Sequence, residues 1–217
     1  MMKIQRLAAV GALAGLTVAL GACGSEEEPA AGGGSETSAP SEPESSSAAP
    51  SGEGVIFGPA CDQVPTEGEG SAQGMVDDPV ATAATNNPLL STLAKTVVAA
   101  NLVDTLNKPT AQYTVFAPAN SAFEELEASQ PGVTDTLLAE PEGKLATVLT
   151  YHVIAQRYDA QGLVEAGSVP SVQGDMVEIT GTPEAPLVNG NMVLCGNIPT
   201  ANATVFVIDS VLMPPAA

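Results

Sequence analysis

The chain has 217 residues, of which 25 are acidic and six basic, for a formal charge of −19. Lys95, Lys108, Lys144 and Arg157 are scattered, so nucleic acid and anionic lipid head groups, which are bound through basic patches, are argued against as partners. One histidine, three cysteines and no tryptophan leave little from which to build a metal centre or an aromatic sugar-stacking platform.

The first segment, "MMKIQRLAAVGALAGLTVALGAC", places Lys3 and Arg6 before an apolar run from Leu7 to Leu20. That is the layout of a secretory leader. As a membrane span the run is short, because a spanning helix needs about 20 apolar residues. No basic flank follows it: Cys23 leads into "GSEEE". The string "LGAC" resembles the lipobox of bacterial lipoproteins, in which the cysteine thiol takes a diacylglycerol and cleavage falls just before it. The expectation is a leader over 1–22 and a lipid on Cys23, with more than one acyl chain for stable anchoring. An ordinary leader cleaved after Ala22 would leave Cys23 as an odd free thiol. The mature chain then holds four basic and 25 acidic residues, a formal charge of −21.

Residues 23–54 are almost wholly Gly, Ser, Pro, Ala, Glu and Thr. Such a composition buries too little apolar surface to offset the entropy of ordering, and it reads as a disordered tether. Its root-mean-square reach is roughly 30 Å, lengthened by proline and like-charge repulsion. Its Ser residues and Thr37, with neighbouring prolines, permit O-glycosylation.

From Val55 to Ala217 apolar residues become frequent and periodic, enough for one domain with a sizeable core. "DDPVATAATNNP" (77–88) predicts a short helix with Asp77 or Asp78 as N-cap and Pro79 in the first position. "PLLSTLAKTVVAANL" (88–102) carries Leu and Val at helical spacing. "QYTVFAP" (112–118) predicts a strand. "NSAFEELEA" (120–128) predicts a helix start, with Asn120 and Ser121 read as its cap and Glu124 at capping-box spacing from Ser121. "EGKLATVLTYHVI" (142–154) begins as a helix, and its β-branched end suggests a strand. Beyond it, "SVPSVQG", "DMVEITG", "NMVLCGN" and "TVFVIDSVLM" read as strands separated by Gly, Asn and Pro. Helices first and strands later favour an α+β fold.

With Cys23 assigned to the lipid, Cys61 and Cys195 remain. An even pair in an exported protein suggests a disulfide. The rival is a two-thiol redox or metal site, which would lack both CxxC spacing and a second histidine.

Three strings now act together. "YTVFAPANSAFEEL" (113–126), "LTYHVI" (149–154) and "TANATVFVIDSVLMPP" (200–215) resemble, in order and spacing, the two end boxes and the central Tyr-His motif of fasciclin (FAS1) domains. The resemblance covers residues 71–217. "GPAC", "QGMVDDPVATAATNNP" and "NLVDTLN" are similar to the single-domain FAS1 antigens of mycobacteria and related actinobacteria, whose paired cysteines correspond to Cys61 and Cys195. One position departs from the pattern: Ala119 stands where the first box more often has Thr, which should weaken a local hydrogen bond. The resemblance implies a wedge or sandwich of two small β-sheets with helices packed around it. It also implies a non-enzymatic role in adhesion or surface recognition, with Tyr151 and His152 mainly structural.

The residues themselves agree. A hydrolase needs a nucleophile, a base and an orienting group, yet there is no GxSxG and His152 lies in an apolar run. If Tyr151 and His152 stood on a strand they would face opposite ways, so at least one would need a buried polar partner. "DMVEITGTPE" lacks the spacing of an EF-hand loop. "NAT" at Asn202 fits a eukaryotic sequon that a bacterial chain would leave idle. No cofactor, no metal site and no catalytic residue is expected. Two functions stay open: a lipid-anchored module on the outer face of the cell membrane that binds a surface, matrix or host protein or a glycan, and an envelope carrier of a lipid or small molecule. An enclosed apolar pocket larger than a few waters would favour the carrier. A packed interior with an exposed patch would favour adhesion.

Overall fold

Two nearly unbroken apolar runs, "YTVFAP" and "ATVFVI", lie side by side at the centre of the domain. They form β1 (Tyr113–Pro118) and β7 (Ala203–Ile208), paired in parallel with Val115 beside Val205 and Phe116 beside Phe206. Parallel strands are stable when both faces are covered, and here only Tyr113 among the twelve residues is less than fully buried. Because side chains alternate along a strand, these two strands feed two cores. Val115, Ala117, Val205 and Val207 join the helices, whereas Phe116, Phe206 and Ile208 face the remaining sheet. The two phenylalanine rings sit 6.1 Å apart at 49°, a tilted contact of the favourable kind. The computed structural model describes residues 54–215, which fall within one unit, Ser47–Ala217. The expected leader, the Cys23 lipid site and the tether up to residue 53 lie outside the described residues.

The other strands are β2 (Val153–Ile154), β3 (Ser168–Pro170), β4 (Met176–Thr182), β5 (Ala185–Val188) and β6 (Asn191–Pro199). Their order is β2-β1-β7-β6-β5-β4-β3, so the two halves of the expected wedge run into each other through β6. That strand carries register shifts on both sides of Cys195, and such bulges bend and twist a strand. The far edge returns to the near one: Ile154 bridges Ser171, and Val172 N–H donates to the Val153 carbonyl at 2.7 Å. The enclosed space is filled by Leu163, Val169, Val177, Ile179 and Val188 together with the two phenylalanines.

The helices are α1 (Val80–Asn86), α2 (Ser91–Ala99), α3 (Val103–Leu106), α4 (Asn120–Ser129), α5 (Val133–Ala139), α6 (Ala146–Tyr151) and α7 (Ala160–Ala166). A π-helical turn, Pro141–Leu145, leads into α6. The α+β class and the turn from helix to strand near residue 152 follow the sequence expectation. Two expected caps do not. Pro79 occupies the N-cap of α1, and Asp78 instead accepts from the Asn86 side chain. The first α1 amides are taken by distant side chains: Val80 N–H donates to Asn202 Oδ1 at 2.9 Å and Ala81 N–H to Asn107 Oδ1 at 3.1 Å. Pro79 fixes the chain entry, so neither aspartate reaches those amides. Ala119 is the N-cap of α4 and offers no side-chain acceptor; Ser121 lies inside the first turn, so the capping box does not form. The α5 start is also served from elsewhere. Glu127 accepts from Gly132 N–H at 2.6 Å, which holds its carboxyl below the usual range, with Thr134 adding to the effect.

Candidate functional site

His152 ends α6 as its C-cap and is 2% exposed. The helix buries Val148, Leu149 and Tyr151 against the core, which draws the next residue inside with them. Leu212 N–H donates to Nε2 at 2.9 Å, so Nε2 is an acceptor and the proton of the neutral ring sits on Nδ1. Nδ1 is 2.7 Å from the Val148 carbonyl and donates to it. Burial pushes the imidazole down to about 4, against a smaller raising effect from the Val148 bond. At neutral pH the ring is therefore uncharged, and both nitrogens are occupied. It has no nitrogen left to take a proton from a substrate or to bind a metal. What it does is tie the end of α6 to the segment after β7.

Tyr151 is 2% exposed, and its hydroxyl donates to the Met176 carbonyl at 3.1 Å while accepting from Asn189 Nδ2 at 2.8 Å. Both members of the Tyr-His pair thus have buried polar partners, on the end of a helix rather than on the strand considered from sequence. Asn120 starts α4 but works for α2: its Oδ1 accepts from Thr92 N–H at 2.9 Å, and its Nδ2 donates to the Pro88 carbonyl at 2.8 Å. The expected cap residue is a cap of a different helix.

Cys61 and Cys195 are bonded to each other, with Cα atoms 4.9 Å apart and a sequence separation of 134. The two-thiol redox or metal alternative is thereby removed. Among the described residues no group of three His, Cys, Asp or Glu side chains is placed to hold a metal. Sequence reasoning missed Asn202 and Asn197. Asn202 is 1% exposed; besides serving Val80 it donates to the carbonyls of Leu106 and Lys108 at 2.6 and 3.1 Å. The sequon is therefore closed to modification in the folded chain. Asn197 Oδ1 accepts from Ala160 N–H at the start of α7, and its Nδ2 donates to the Val55 carbonyl. Their only signal in the sequence is the presence of asparagine at strand ends and bulges, where a short amide can reach an orphan helix amide.

The site residues do not converge on a cleft. An apolar hollow of about 60 Å³ lies between α1, α2, α6 and β1, with His152 at its wall. Two larger hollows of about 330 and 450 Å³, lined in part by polar side chains such as Gln73 in the first and Asn120 and Glu124 in the second, touch the disulfide at Cys195. Among the described residues no buried side-chain nitrogen or oxygen lacks a partner, so nothing polar waits inside for a ligand. Several apolar side chains face outward, including Val98, Val172, Met176 and Met192. No described helix is long and apolar enough to cross a membrane.

Comparison with known proteins gives a consistent result. The fasciclin domain family matches residues 88–214. Immunogenic protein MPB70 of Mycobacterium bovis is 45% identical over 77% of this chain and 86% of its own. Cell surface glycolipoprotein MPB83 of the same species is 40% identical over 100% of both chains. Among solved structures, the FAS1 domain pair of the insect cell adhesion molecule Fasciclin I matches with a TM-score of 0.58 and 18% identity. That match covers 65% of this chain and 52% of the insect one, about half its length, and it bears on the fold alone.

Proposed function

The chain belongs to the fasciclin domain family, and on that premise we propose that it is an extracytoplasmic module, anchored by lipid on Cys23, which works by binding a surface partner rather than by catalysis. The observation that carries this reading is the closed interior. The single histidine has both nitrogens bonded, and every described buried polar side-chain atom has a partner. Interaction with a partner must then use the outside of the domain, which the tether over 23–54 would hold away from the membrane. The whole-length alignment with a cell surface glycolipoprotein supports both the Cys23 anchor and sugar on the Ser and Thr hydroxyls of the tether. The partner is a surface, matrix or host protein or a glycan.

The carrier alternative asks for a cavity that takes an acyl chain. The apolar hollow of about 60 Å³ falls short of the roughly 150 Å³ at which an apolar cavity takes benzene. That favours the adhesion reading. In a bacterial host the wild-type protein is expected in the membrane fraction, with an N-terminal peptide that starts at an acylated Cys23. Cys23→Ser should move it to the soluble fraction. A free Cys23 thiol on the exported protein would remove the anchor from this account, and one lipid per domain on native protein would turn it into a carrier.

A further inference from the structure

Immediately after the tether, residues 54–60 lie as a strap along β6. Gly196 N–H donates to the Phe57 carbonyl at 2.8 Å and Phe57 N–H returns the bond at 3.3 Å. Ala60 N–H donates to the Leu194 carbonyl at 2.9 Å, and Asn197 Nδ2 holds the Val55 carbonyl at 3.2 Å. The fit depends on two missing side chains. A Cβ on Gly196 would sit 2.5 Å from the Phe57 ring, and Gly58 has φ +126° with the Leu194 carbonyl directly against it. At the inner end of the strap, Cys61 is bonded to Cys195 in β6. β6 in turn pairs with β7, and β7 with the doubly covered β1.

We infer that strap and disulfide together form a force clamp, which passes tension from the tether sideways into the central sheet. The inference rests on the proposed attachment through the N-terminus. Backbone hydrogen bonds at a chain end yield one after another, and the strap has only a few. Behind it, residues 62–79 hold turns and one short 3-10 turn, Cys61–Gln63, before α1 begins at Val80. Tension running along the backbone would enter that weak stretch and then unwind α1 and α2. The disulfide diverts it at Cys61 to Cys195, one strand from the best-buried pair in the domain. Residues 62–194 lie inside the covalent loop. A partner gripping any surface between them is joined to the tether through the clamp, whichever face it holds.

The test is single-molecule pulling of the mature chain between a handle at the N-terminus and a click handle replacing Val98, which is 62% exposed on α2. With the disulfide intact, only the seven strap residues 54–60 should pay out, roughly 25 Å at about 3.5 Å per residue. No further lengthening should occur until the sheet itself opens at higher force. After reduction the release should run on to Val98, roughly 150 Å. Phe57→Ala with the disulfide intact should release the strap at lower force and stop at the same roughly 25 Å. Bridge-intact protein that runs past that length at the force seen after reduction overturns the clamp. Should the reduced protein lose its fold before loading, the bridge-intact Phe57→Ala protein decides: release that stops at roughly 25 Å supports the clamp, and release that runs on past it at the force that frees the strap overturns it. The handles apply the tension, so the result is independent of acylation or of any partner. Loss of the clamp would leave the proposed function standing, and loss of the proposed function would leave the clamp measurement valid.

Discussion

The two ends of the domain are fastened by different chemistry. The N-terminal strap is held covalently, through Cys61 and Cys195. The C-terminal segment buries Leu212 in the core and is tied to α6 by one imidazole, with Leu212 N–H on Nε2 and Val148 on Nδ1. The first fastening ignores pH and fails under reduction. The second ignores reductant and fails when the ring takes a proton. The two fastenings can therefore be separated by solution conditions alone.

The largest effect is expected at the covalent end. Opening a 134-residue loop removes a constraint on the unfolded chain worth about 3–5 kcal/mol, so reduction should lower the denaturation midpoint sharply at every pH. A reduced protein with an unchanged midpoint would show that the strap's hydrogen bonds suffice alone. His152→Ala comes next, at about 3 kcal/mol, since it leaves Val148 and Leu212 unpaired beside a new cavity. The same residue sets the pH response. The folded pKa of about 4 lies below the ordinary 6.5, so between these values the unfolded chain binds a proton that the folded chain refuses. The contribution is full above pH 6.5 and lost as pH falls toward 4, on the order of 3 kcal/mol in total. Subtracting the pH profile of His152→Asn should isolate this slope from that of the carboxylates. Parallel profiles would mean that the ring takes its proton as readily in the fold as in the unfolded chain.

Smaller effects probe the joints between the ends. Asn202→Ala should cost about 2 kcal/mol by urea unfolding, because it strands Val80 N–H and two carbonyls in a buried place. A neutral result would show that water replaces the amide. Ala119→Thr should add up to about 1 kcal/mol by giving α4 the side-chain cap it lacks. A loss instead would mean that the buried surroundings of Ala119 have no room for the extra atoms.

The central strands were legible because burial on both faces leaves an unbroken apolar run, as in "TVFAP" and "TVFVI". Alternation marked β4 in the same way, with Val177 and Ile179 inward and Met176 and Glu178 outward. The disulfide was legible from cysteine arithmetic together with the expected leader. What stayed hidden was capping at a distance. Sequence motifs for caps are local, whereas α1 and α2 are served by residues up to 122 positions away. β5 and α7 were also missed, the first because its four residues are broken by Pro186, the second because Gly162 interrupts a seven-residue helix. His152 was legible as buried, but its two partners were not, since Leu212 lies 60 positions on.

The central claim is that the outside of a tethered domain does the work. Adhesion of bacterial cells displaying the wild-type chain should be compared with that of cells making Cys23→Ser at equal level, on matrix-coated and host-cell surfaces. The account predicts several-fold stronger adhesion by the wild type, reduced by added soluble protein. Equal adhesion by the two strains would contradict it.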